Sequence, residues 1–138
     1  MKGTVRLKDG MRFVGVSDSA HEITMDAALD NHGADSAPRP LELFLIGLGG
    51  CTGMDVVSIL RKKQVEYESF EMDIAIDRAT DYPKVFSTIK IVYRFTGKNI
   101  PRAVVEKAAK DSLDKYSSAA AMLRWGARLD STIEITEI

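Results

Sequence analysis

The chain has 138 residues, with 19 basic against 20 acidic side chains and a formal net charge of −1. That length suits one domain, residues 1–138. Charges of both signs are spread along it, which argues against a nucleic-acid partner or a membrane surface, since either calls for a basic face or run. The opening MKGTVRLKDG has no apolar signal segment, and one cysteine excludes an internal disulfide, so a reducing, cytoplasmic setting is expected. The two histidines, His21 and His32, match no ligand spacing. They read as a strand-edge and a loop residue, so no metal is expected, and nothing implies a cofactor.

The first third reads as short strands. Val5 and Leu7 alternate with Arg6 and Lys8, Asp9-Gly10 supplies a hairpin turn, and Met11, Phe13 and Gly15 continue the alternation. Ser17-Asp18-Ser19 is a second turn and Glu22 to Asp26 a third strand. Asp30 to Pro38 is polar, with Gly33 and Pro38, and reads as a loop.

Pro40 suits the first turn of a helix, where its missing N–H costs nothing. The helix should run to about Lys63, ending in Arg61-Lys62-Lys63, cations that suit the C-terminal dipole. Leu43 to Met54 holds no charge, so this stretch has no polar face and must be buried. Alone it is too short to cross a bilayer, which takes about 20 apolar residues. A second copy of the chain is the simplest further cover. Gly47, Gly49, Gly50 and Gly53 each cost about 1 kcal/mol relative to Ala in a helix. Close approach of another backbone, a second copy of this helix, would offset that; a helix broken into a Gly-rich loop is the alternative.

Phe70, Met72, Ile74 and Ile76 alternate with polar neighbours as a half-buried strand. Ala79 to Lys84 turns the chain. Val85, Ile89, Ile91, Tyr93 and Phe95 form the inner row of the next strand. Pro101 opens a helix with Val104, Val105, Ala108 and Leu113 on its apolar side. A break at Tyr116-Ser117-Ser118 precedes a short helix, Ala119 to Trp125, closed by Gly126. Leu129, Ile133 and Ile135 mark a last strand. The order βββ-α-ββ-αα-β is an α+β pattern.

Arg39-Pro40-Leu41-Glu42-Leu43, Gly47-Leu48-Gly49-Gly50-Cys51-Thr52 and Asp55-Val56-Val57 resemble the central-helix signature of the OsmC/Ohr family. Lys115-Tyr116-Ser117-Ser118, followed by Ala121-Met122-Leu123, resembles its second signature, where a cysteine usually follows Lys-Tyr. The resemblance implies an intertwined homodimer. Two curved, antiparallel-type sheets with strands from both chains would wrap two central helices, and the two active sites would lie at the interface. It further implies that Cys51 is a peroxidatic thiolate attacking organic hydroperoxides, held by a nearby Arg and Glu. Ser117 takes the resolving position, where a hydroxyl cannot form a disulfide. In peroxidase members the activating Glu directly follows the proline; here Leu41 does, and Glu42 comes one place later, about 100° round a helix. The family's early Arg is represented by Lys8 or Arg12, and the sequence leaves the choice open.

From the residues alone, a lone cysteine in an apolar run reads as inert core; the resemblance turns Cys51 into a redox thiol. Ser117 also suits an N-cap. Arg39 reads as an anion site at the helix start, or as a loop or ion-pair residue. Asp55 either meets a basic group across a dimer or faces solvent. Tyr116 and Trp125 either wall an apolar pocket or pack in the core. The leading expectation is a thiol-dependent peroxidase whose sulfenic acid is resolved by an external thiol or dithiol reductant. A catalytically impaired protein binding a small apolar ligand is the alternative. A hot-dog-type thioesterase fits less well, because it lacks the hairpin-first order and an acid–base pair.

Overall fold

Alternation in the first ten residues closes into a hairpin, β1 (Gly3–Asp9) against β2 (Arg12–Ser17), antiparallel, with Gly10 at φ 51° in the turn. β3 (Ile23–Met25) adds to β2 on its other side and is shorter than the expected Glu22–Asp26. The computed structural model describes residues 1–138, which divide into two compact units, Met1–Ile46 and Gly47–Ile138.

The polar segment after β3 is more ordered than its composition implies. The buried Asp26 carboxylate accepts from the backbone N–H groups of Ala27, Ala34 and Ser36 at 2.8, 3.2 and 3.0 Å, and from the Ser36 hydroxyl at 2.6 Å. These bonds, the Ser36 hydroxyl first, hold the carboxyl down at about 2. His32, at φ 65°, ends a single 3₁₀ turn, Leu29–Asn31, and His21 lies in the exposed segment before β3.

Helix α1 runs unbroken over Pro40–Lys62, so the four glycines do not open it into a loop. At 23 residues it has the length and composition to cross a membrane, which the uncharged run Leu43–Met54 by itself has not. Its buried residues Leu48, Val56 and Leu60 join Ile89, Ile91, Tyr93 and Phe95 in one apolar core. Burial is one-sided, however. Phe44, Ile46 and Met54 are exposed, Met54 to 76%. Two glycines are explained within the chain. A Cβ on Gly49 would stand 2.8 Å from Ile74 Cδ1, and one on Gly53 would stand 2.6 Å from Met72 Cε. The close neighbour there is a strand rather than a second helix; Gly47 and Gly50 have nothing within 4 Å.

The second sheet is ordered β4 (Ser69–Arg78), β5 (Phe86–Gly97), β6 (Arg128–Glu137). β4 and β5 are antiparallel, whereas β5 and β6 run parallel, the one departure from an antiparallel sheet. A parallel pair requires a crossover, and the helical segment between β5 and β6 supplies it. Val85 falls outside β5 and is exposed. The register slips between Asp77 and Arg78, so Ser87 is the extra residue and Phe86 replaces Val85 in the half-buried row. A one-residue slip exchanges the two faces. On the other face Arg94 bridges Asp73 of β4 and Glu134 of β6.

Helix α2 (Arg102–Asp111) buries Val105 and Ala108, and then widens into one π turn, Ser112–Tyr116, which carries Leu113. Helix α3 is Ser118–Leu123, so the chain leaves it before Trp125. The element order is βββ-α-ββ-αα-β, as expected for an α+β protein.

Candidate functional site

Cys51 is half-buried on α1, the chain's free thiol. Helical periodicity puts Asp55, Ser58, Ile59 and Lys62 on the stripe that continues from it, at steps of four, seven, eight and eleven residues. Those four side chains form one wall of a cleft of about 700 Å³. Ala103, Val104, Lys107 and Asp111 of α2 form the other, and Tyr116 of the π turn closes it. The lining combines apolar Ile59, Ala103 and Val104 with three lysines, Lys62, Lys63 and Lys107, and two carboxylates, Asp55 and Asp111. Lys107 is paired with Asp111 at 2.6 Å, while Lys62 and Lys63 make no ion pair. A second groove, about 670 Å³, follows the glycine side of α1 past Gly49, Gly50, Gly53 and Met54 to Phe70 and Met72.

Beside Cys51, Thr52 points inward and is fully buried. Its hydroxyl lies 2.7 Å from the Tyr93 hydroxyl and 2.7 Å from the Ser112 hydroxyl, and Ser112 donates to Asp55 Oδ2 at 2.9 Å. Tyr93 and Ser112 are equally buried. Burial raises the Tyr93 phenol to about 12. The Ser112 carbonyl accepts the Ser117 N–H at 2.7 Å. A continuous set of hydrogen bonds therefore leads from the helical turn of Cys51 to residue 117. The sequence marks Thr52 as part of the helix motif and Tyr93 as an inner strand residue, but not the meeting of their hydroxyls with that of Ser112, because buried hydroxyls carry no pattern of their own.

Ser117 is buried and caps α3, its Oγ accepting the Ala120 N–H at 3.1 Å. Tyr116 lines the cleft, but Trp125 is 93% exposed in the turn after α3 and walls nothing. It is neither a core nor a pocket residue, because α3 ends two residues earlier.

The other candidates belong to the first unit. The Arg39 N–H donates to Glu42 Oε2 at 2.9 Å, the reach-back bond of a capping box, so Glu42 serves the start of α1. The Arg39 guanidinium donates to Asp35 at 2.6 Å and to the Ala37 carbonyl at 3.1 Å, which makes it an ion-pair residue. Arg12 grips both oxygens of Asp9, at 2.5 and 2.6 Å, whereas Lys8 is exposed and makes no ion pair. Leu41 is exposed at the second position of α1. No cluster of His, Cys, Asp and Glu is arranged to hold a metal.

A family model described as OsmC-like protein matches residues 32–132. Protein YhfA of Escherichia coli (strain K12) is 33% identical over 135 residues, which cover 98% of both chains. A crystal structure of a hypothetical protein from Aquifex aeolicus VF5 superimposes with a TM-score of 0.86 at 28% identity, over 99% of this chain and 96% of that one. An organic hydroperoxide resistance protein OsmC from Legionella pneumophila gives a TM-score of 0.71, covering 97% of each chain. At 10% identity, that last likeness is one of fold alone.

Proposed function

Because the chain belongs to the OsmC-like family, we propose that it is a cytoplasmic thiol-dependent peroxidase acting on small organic hydroperoxides, with Cys51 as the attacking thiolate. The observation that carries this reading is the placement of Cys51, half-buried on the α1 stripe whose later members Asp55, Ser58, Ile59 and Lys62 line the cleft. The thiolate attacks the distal peroxide oxygen, the O–O bond breaks, and the leaving alkoxide takes a proton as the alcohol. Cys51 is left as the sulfenic acid. With a serine at position 117, an external thiol condenses with that acid, releasing water and forming a mixed disulfide. A second thiol then restores Cys51 and leaves as the external disulfide.

The proposed active form is a homodimer. A second copy would cover the exposed Phe44, Ile46 and Met54 and approach the open Gly47 and Gly50. The test is turnover of cumene hydroperoxide with a small-thiol reductant. Wild-type turnover should exceed that of Cys51→Ala by at least tenfold, and equal rates refute the reading.

A second reading is favoured by Ser117, whose hydroxyl is engaged as a helix cap. On this reading the protein binds an apolar ligand without turnover. Slow alkylation of Cys51, together with a small molecule retained through purification, would mark that alternative.

A further inference from the structure

The hydroxyls of Tyr93, Thr52 and Ser112 have one proton each, and their arrangement leaves a single way to place them. Asp55, as a carboxylate, only accepts, so the Ser112 proton goes to it at 2.9 Å rather than to the Thr52 carbonyl at 3.4 Å. Ser112 must then accept from Thr52, and Thr52 must accept from Tyr93. The result is a directed chain, Tyr93 to Thr52 to Ser112 to Asp55, in which no buried polar side-chain atom lacks a partner. Its links differ in what they join. The Tyr93 link ties α1 to the sheet. The Thr52–Ser112 and Ser112–Asp55 links tie α1 to the π turn, whose first carbonyl holds the Ser117 N–H.

We propose that Thr52 and Ser112 are positioning residues, a buried bolt that fixes the helical turn of Cys51 against the segment that presents residue 117. The bolt explains why α2 widens into a π turn at Ser112. There the side chain faces α1 while the carbonyl accepts from Ser117, five residues on. It also explains why Thr52 is a hydroxyl residue in an otherwise apolar run. The bolt rests on the reading of Cys51 and position 117 as the two members of a redox site, yet its test needs no peroxide.

Ser117→Cys supplies a second thiol. The protein dithiol is equilibrated anaerobically with oxidised and reduced glutathione, so that one glutathione disulfide is reduced to two glutathiones as the protein disulfide forms. The equilibrium constant reports the effective concentration of the two thiols. In the Ser117→Cys background, Thr52→Val and Ser112→Ala should each lower it by at least tenfold, and Thr52→Ser should restore it to within twofold. Tyr93→Phe also removes a buried hydrogen bond and should lower thermal stability to a similar extent. It leaves the bolt intact, so the effective concentration should stay within threefold. The proposal is overturned if no disulfide forms in Ser117→Cys, if Thr52→Val and Ser112→Ala stay within twofold, or if Tyr93→Phe falls as far as they do. Lack of peroxidase turnover by the wild-type protein would overturn the proposed function and leave this equilibrium as measured.

Discussion

Replacing Ser117 by Ala isolates the structural role of the position from its redox role. The Ser117 Oγ accepts the Ala120 N–H at 3.1 Å, and both residues are buried, so no water can take the place of the hydroxyl. Loss of a Ser cap costs about 1 kcal/mol, rising to about 2 where the orphaned donor stays out of solvent. A loss of about 1.5–2 kcal/mol is therefore expected. With an unfolding entropy of about 2.1 cal/mol/K per residue, 138 residues give roughly 0.3 kcal/mol/K, so Tm should fall by about 5–7 °C. Urea unfolding followed by far-UV circular dichroism should show a lower midpoint at an unchanged slope, because the exposed area hardly changes. Ser117→Cys keeps a weaker acceptor and should lie between the two. A Tm change below about 1 °C for Ser117→Ala, or a larger loss for Ser117→Cys, would refute the capping argument.

In Gly53→Ala, the gain of about 1 kcal/mol in helix propensity is opposed by overpacking against Met72, about 1–3 kcal/mol, so the variant should be neutral to less stable by about 2 kcal/mol. Shortening the opposing side chain with Met72→Val should make the same glycine change favourable, a positive coupling in a double-mutant cycle of urea midpoints. The Asp26 carboxyl is held at about 2 from an ordinary 3.8. Its contribution is therefore complete above about pH 4 and is lost as pH falls towards 2. Thermal melts from pH 5 to pH 2 should flatten over that window in Asp26→Asn, which should also melt lower than wild type at pH 7.

The helix carrying Cys51 could be read from sequence to within one residue, because Pro40 at its start, a charge-free middle and a cationic end all act locally. The strand rows of β4 and the inner residues Ile89 to Phe95 of β5 were readable because period-two alternation survives in an ordinary antiparallel pair. Val85 falls out of the inner row because a bulge changes the phase of the strand without changing its composition. Trp125 lies outside the short helix because α3 stops before it. The positions of Cys51 and Ser117 came from their motifs, and the capping role of Ser117 from its place before a short helix.

Element order and the helix that bears the thiol are legible in the chain alone, since both follow from contacts among near neighbours. Packing in three dimensions set which face of that helix is covered and why Gly49 and Gly53 are glycine. It also decided where the hydroxyls of Thr52, Tyr93 and Ser112 meet. These depend on residues 19 to 60 positions apart brought within a few ångströms, and no local pattern encodes the distance between two elements packed together.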